Sequence, residues 1–388
     1  GRSQMLCGAW ERVVAGCPPG RWGHTVTRTG RGGQVVVLGG VDAGRHCPFD
    51  VCIAFDCRSW SWTSFKTTGT IPSPRDSHAC TVAGGQLLLF GGCAPDASKL
   101  GDLHALDLET RVWRRINTEG VMPAPREGHS LTSVSPGKVV LFGGTGEGGR
   151  FSEETLVLDV DTWTFTRLKA SGEAPGARTG HVAAALTPSG ASAAELVVFG
   201  GENGKGRESS LHVLCLNGAS SGEWSCAAPS APGSSAAPPP RAGHAAALLK
   251  ENLLFVHGGI GADDLLLCDA WTLELGLNGK HSWSPINAST SIPAGRISHG
   301  ITCFSDSQAL VYGGISGLNK PPLGDLHIFT LTYPAGGVEL EELEDPVEAV
   351  PDGVLAVAPV QAGSLVTASA AVAAAAATGA GGRGRGRG

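Results

Sequence analysis

The sequence predicts an all-β chain, a six-bladed β-propeller of four-stranded antiparallel blades, on three recurring observations. An Arg-x-x-His unit occurs six times, each copy is followed by an apolar run ending in Gly-Gly, and a tryptophan returns late in the units. The pairs are Arg21/His24, Arg75/His78, Arg126/His129, Arg178/His181, Arg241/His244 and Arg296/His299. Gly39-Gly40, Gly91-Gly92, Gly143-Gly144, Gly200-Gly201, Gly258-Gly259 and Gly313-Gly314 keep step with them. Self-similarity at this period means one supersecondary unit copied, each copy burying its faces against its neighbours.

Successive arginines lie 54, 51, 52, 63 and 55 residues apart, so the unit is fixed while its loops vary. The longest interval holds the Ser/Ala/Pro stretch from Ala227 to Pro240, which reads as an inserted loop. After Arg-x-x-His comes a small or apolar first strand. The second is a continuous apolar run such as Gln86 to Phe90, Lys138 to Phe142 or Glu195 to Phe199, suited to burial on both faces. Asp102 to Asp107 exemplifies the third and Trp113 to Ile116 the fourth, and four such strands make a blade.

Trp62, Trp113, Trp163, Trp224 and Trp283 stand in the fourth-strand position of the first five units, 13 to 17 residues ahead of the next arginine. The sixth unit has none. Trp10, 11 residues ahead of Arg21, is in the same phase, so the N-terminal strand is expected to complete the sixth blade and remove an open edge. The competing candidate, Val338 to Glu341, alternates but lacks the tryptophan.

The propeller is assigned to residues 1–337 and an acidic, then Ala/Gly-rich low-complexity tail to 338–388. Of the formal charge of -6, most lies in that tail, with three arginines against seven acids, and nothing resembles a basic nucleic-acid footprint. No signal peptide and no run of about 18 apolar residues is present, so no membrane partner is expected. Eleven cysteines lie singly; Cys47, Cys52 and Cys57, with His46 and Asp50, come closest to a metal set. Buried thiols in a reducing compartment, cytoplasmic or nuclear, are the preferred reading. The chain begins at glycine rather than methionine, and a further domain upstream is an expectation.

The junctions Pro72-Ser73-Pro74-Arg75-Asp76-Ser77-His78 and Pro123-Ala124-Pro125-Arg126-Glu127-Gly128-His129, taken with the Gly-Gly and tryptophan spacing, resemble the kelch repeat. They are similar to the variant in host cell factor, acyl-CoA-binding kelch proteins and the kelch-domain substrate receptors of ubiquitin ligases. The resemblance covers about 330 of 388 residues. It implies a non-catalytic protein-interaction module without cofactor, binding a protein or acidic peptide on one face, with ubiquitin-ligase substrate reception as one version. The alternative is an accessory kelch domain of a larger enzyme. No F-box or BTB-like region is visible in the chain.

The resemblance also assigns residues. In peptide-docking members, arginines at this position ring the channel mouth, which would make Arg21, Arg75, Arg126, Arg178, Arg241 and Arg296 partner-binding forks for carboxylates. Pairing with acids or carbonyls at the blade junction is the other reading of the same recurrence. His24, His78, His129, His181, His244 and His299 are expected to tie neighbouring blades, since residues spread around an axis cannot converge on one zinc ion. The six tryptophans are expected to be structural. The long loops Val41 to Asp50, Glu202 to Ser210 and Ile315 to Leu323 are expected to contribute to recognition.

Enzymatic relatives of this fold fail a residue test. Copper oxidases resembling galactose oxidase need tyrosine ligands, and Tyr312 and Tyr333 are the only tyrosines. The Glu-x-x-x-Asp-x-x-x-His iron site of plant kelch specifier proteins is missing. In the tail, Ser364 to Ser369 is loosely similar to an elongin-binding box with serine in place of cysteine. The terminal Gly-Arg repeats carry too few charges to hold RNA at physiological salt.

Overall fold

The second strand of every unit is a continuous run of fully buried residues, such as Val35–Leu38, Leu87–Phe90 and Ala309–Tyr312, because it lies between two neighbouring sheets. The computed structural model describes residues 6–13, 16–30, 33–187, 195–218, 220–227, 237–276, 281–288, 290, 292–317 and 319–332. Among these residues six four-stranded antiparallel sheets occur, each a meander running outward from an innermost first strand.

Blade 1 is Thr25–Arg28, Gln34–Leu38, Val51–Asp56 and Ser61–Lys66. Blades 2 to 5 repeat the plan, with inner strands Ala79–Ala83, Ser130–Ser135, Val182–Leu186 and Ala245–Lys250 and outer strands Val112–Ile116, Thr164–Arg167, Ser221–Cys226 and His281–Pro285. Blade 6 takes Gly300–Cys303, Gln308–Tyr312 and Leu326–Thr332 from the end of the propeller. Its fourth strand is Cys7–Val13, antiparallel to Leu326–Thr332 with Trp10 opposite Phe329. The N-terminal strand therefore closes the ring. The rival segment from Val338, and all of the tail, lie outside the described residues.

Each inner strand touches the next, and Thr25–Arg28 touches both Ala79–Ala83 and Gly300–Cys303, so the six make a circle. Six separate apolar clusters fill the six blade interfaces. At the closing interface Val35, Val37 and Phe55 of blade 1 pack on Leu310, Tyr312 and Ile328 of blade 6. Burial of apolar area at every interface drives the closure, because an open ring would leave one such face in water.

A second circle runs in the backbone. Ser77 N–H donates to Gly23 O, Gly128 to Ser77, Gly180 to Gly128, Gly243 to Gly180, Ser298 to Gly243 and Gly23 to Ser298, at 2.8 to 3.0 Å. All six residues hold positive φ, between 52° and 65°, which explains glycine at four of them.

Tryptophan takes its expected outer-strand place in five blades, where Trp62, Trp113, Trp224, Trp283 and Trp10 face the third strand. Blade 3 departs from the expectation. There Phe165, 1% exposed, faces Leu158 in the equivalent register, and Trp163 sits two residues earlier in the turn at φ 55°. Trp60 and Arg111 hold the same turn position, at φ 55° and 59°. The turn is set by an aspartate whose Oδ1 accepts two backbone N–H groups: Asp56 from Arg58 and Ser59, Asp107 from Glu109 and Thr110, Asp159 from Asp161 and Thr162.

Candidate functional site

The Gly-Gly pairs bring the arginines, the histidines and the loops after the second strand to one face. Each first glycine backs onto the histidine of the following blade; a Cβ on Gly39 would stand 2.6 Å from the His78 ring, and one on Gly313 2.7 Å from His24. The histidine rings also meet an aromatic residue of the preceding blade edge-on, as His129 meets Phe90 and His24 meets Tyr312. All six are buried. Burial, with the adjoining arginine charge, pulls His24, His129 and His181 down to about 3.

The arginines do not form the open rim expected of them as partner-binding residues. Arg21, Arg75, Arg126, Arg178, Arg241 and Arg296 are all 5% exposed or less. Each sends Nη1 to the carbonyl of its own blade's first glycine, from 2.9 Å for Arg178 to 3.3 Å for Arg21. Four are also neutralised by an acid at or just before the start of the third strand: Arg75 by Asp102, Arg126 by Glu154, Arg241 by Asp269 and Arg296 by Asp325. A buried guanidinium is tolerated only with such pairing, and the pairing consumes the fork that a ligand would need. The junction-pairing reading is the one the geometry matches.

Each acid receives a further donor. His104 Nε2 lies 2.9 Å from Asp102, His327 Nε2 lies 2.8 Å from Asp325, and Trp271 Nε1 donates to Asp269 at 2.7 Å. Burial would raise the Asp102 and Asp325 carboxyls, but these histidines and arginines outweigh it and hold both well below the usual carboxylate range.

Blade 4 keeps the donors and lacks the acid. Arg178, 3% exposed, reaches Ser210 Oγ at 3.2 Å where four of the other blades present a carboxylate. His212 repeats His104: its Nδ1 sits 3.1 Å from Glu173 O, as His104 Nδ1 sits 3.3 Å from Thr70 O. Among the described residues no carboxylate is ion-paired to Arg178; nearby Glu208 is instead bonded to Asn203 Nδ2 at 2.5 Å. Burial accordingly lowers the Arg178 pKa. Blade 1, across the ring, likewise shows no acid ion-paired to Arg21 among the described residues, and there Tyr312 stands beside the guanidinium.

The loops on this face interlock. Val41–Asp42 with Arg45–His46 and Glu202–Asn203 with Gly206–Arg207 form short hairpins. Neighbouring blades are bridged by His46–Asp76 at 2.7 Å, Lys99–Glu127 at 2.6 Å and Arg207–Asp264 at 2.7 Å. Cys47 and Cys52 are buried, and burial pushes their thiols up to about 11 and about 12. Among the described residues no cluster of His, Cys, Asp and Glu is arranged to hold a metal.

A radial ring of four-stranded blades with a buried arginine at each junction defines a repeat propeller. The chain belongs to the kelch-repeat family: the KLHDC2/KLHL20/DRC7 Kelch-repeats domain matches residues 7–189 and 188–334. It is 30% identical over 264 residues to acyl-CoA-binding domain-containing protein 4 of Arabidopsis thaliana, covering 64% of this chain and 37% of that protein. An F-box/kelch-repeat protein of Arabidopsis thaliana is 32% identical, with 55% of this chain and 43% of the relative covered. Kelch domain-containing protein 2 of Bos taurus is 39% identical over 110 residues, covering 28% of this chain and 25% of that protein. The chain thus spans less than half the length of these relatives. The solved structure of YjhT superimposes with a TM-score of 0.60 at 18% identity, covering 81% of this chain and 95% of that one, and shares the fold.

Proposed function

We propose that the protein is a non-catalytic interaction module that takes an acidic segment of a partner protein into blade 4, where Arg178, Ser210 and His212 await a carboxylate. One observation carries this reading: four blades fill the position with their own acid, and in blade 4 the position is occupied by Ser210. The internal acids are 15% to 36% exposed, so the equivalent place is reachable from solvent while the donors beneath it are dry. A carboxylate arriving there gains charge-assisted hydrogen bonds in a weakly screened site. The kelch family and the F-box/kelch relative support protein interaction, and substrate reception for a ubiquitin ligase is the version we favour. The small share of each relative that the chain covers keeps the accessory-domain version open to the same test.

Ser210→Asp rebuilds in blade 4 the arrangement of blade 2. It is expected to raise the melting temperature and abolish capture of a fluorescent Glu-rich peptide, measured by anisotropy. Unchanged peptide binding by Ser210→Asp would place recognition elsewhere on the face.

A further inference from the structure

The two ring nitrogens of His212 are not equivalent. Nδ1 lies 3.1 Å from Glu173 O, and a carbonyl oxygen can only accept, so Nδ1 carries a hydrogen. A neutral imidazole has one such hydrogen, which leaves Nε2 as a bare lone pair. Among the described residues Nε2 makes no hydrogen bond.

Blade 2 shows where that lone pair is aimed. His104 Nδ1 sits 3.3 Å from Thr70 O and its Nε2 2.9 Å from Asp102, so both nitrogens face acceptors and each calls for a hydrogen. His104 and His212 hold the same register, opposite Leu89 and Val198 of their second strands. With Nδ1 anchored alike, His212 Nε2 is directed at the place Asp102 takes in blade 2, beside Ser210 Oγ and the Arg178 guanidinium. A carboxylate held there by Arg178 would set an acceptor against an acceptor.

The surroundings keep the empty site in this state. Burial lowers the His212 pKa, the bond to Glu173 O opposes that, Arg178 adds to the lowering, and the Glu173 and Glu208 carboxylates oppose it. Cys226, opposite His212 on the outer strand, has its thiol pushed up by burial and is uncharged at neutral pH. Lys169 stands at the far end of the covering segment, beside Ser221. The blade 3 face packed on this side offers Phe142, Val157 and Leu168, none of them titratable.

We infer that blade 4 takes up one proton together with its acidic ligand: the carboxylate is held by Arg178 and by a hydrogen that His212 Nε2 gains only on binding. The inference rests on the reading of blade 4 as the partner site and adds its regulation. The proton turns a repulsive contact into a second charge-assisted bond. Because the complex holds more protons than the free protein, capture strengthens as pH falls, by up to about tenfold per pH unit.

The test follows a fluorescent Glu-rich peptide by anisotropy with the full chain from about pH 8 to about pH 6.5, where the peptide's glutamates stay ionised. The dissociation constant is expected to fall by about tenfold across that span. Titration calorimetry near neutral pH, in two buffers of different ionisation enthalpy, should show about one proton taken up per peptide. His212→Gln, which presents an amide N–H at any pH, should bind with a dissociation constant that no longer changes with pH. A constant affinity in the unmodified protein, a binding heat independent of buffer, or a slope undiminished in His212→Gln overturns the inference and leaves blade 4 as the site. Failure of the site itself looks different: no peptide bound at any pH, or binding that Ser210→Asp leaves unchanged, removes the blade 4 reading and the proton uptake with it.

Discussion

Mild acid should unfold this ring while its carboxylates are still charged. His24, His129, His181 and His257 are buried and held neutral, desolvation being the main reason their pKa falls from 6.5 to about 3. Below about pH 6.5 the unfolded chain takes up protons that the folded chain refuses until about pH 3, so stability that is complete above this window drains through it as pH falls. Each histidine then costs about 1.4 kcal/mol per pH unit. Four of them remove about 8 kcal/mol between about pH 6.5 and pH 5, a loss comparable with the whole stability of many domains. Asp102, Asp269 and Asp325, with depressed pKa values, stay ionised in both states over that span and offset nothing. Urea unfolding followed by tryptophan fluorescence at about pH 7.5, 6.5, 5.5 and 5 reads the effect directly. The midpoint should start falling near pH 6.5 with an unchanged m-value. A midpoint that holds down to pH 5 would refute the claim that these rings are dry and uncharged.

Two further outcomes test the packing. Trp113→Ala and Phe165→Ala should each cost about 3–5 kcal/mol, whereas Trp163→Ala, in a turn and only half-buried, should cost about 1 kcal/mol or less by chemical denaturation. Ser298→Gly relieves a φ of 54° at a position where four blades already have glycine, and should leave the melting temperature equal or higher. Gly143→Ala, with a Cβ 2.8 Å from both Arg178 O and His181 Cε1 at φ 69°, should lower it by several degrees.

The architecture was legible because repetition is a signal that outlasts sequence noise. The phase of Trp10 identified the strand that closes the ring, although its partner lies more than 300 residues away. The arginines were harder, since Arg-x-x-His alone does not say what lies beneath it. A second spacing held the answer: Asp102, Glu154, Asp269 and Asp325 follow their arginines by 27, 28, 28 and 29 residues. Ser210 breaks that series, and Asp50, 29 residues after Arg21, matches the spacing yet is exposed and forms no ion pair with that arginine among the described residues. Trp163 misled because blade 3 puts an aromatic residue at both the turn and the strand position, as blade 1 does with Trp60 and Trp62. The short parallel strands that cover four outer edges, such as Thr68–Gly69 against Val112 and Trp113, were invisible for another reason: two to four residues of parallel pairing have no periodicity to detect.

The loop of six main-chain links near the axis has a bearing on where ions can settle. Its peptide dipoles follow one another around a circle, so within that plane every one is cancelled by its opposite number. A helix end gathers partial charge because its row of dipoles stops; this necklace never stops, and its hub offers anions no such pole. Attraction for a charged visitor must come from an imbalance off the axis, at a sector where the sixfold pattern is broken.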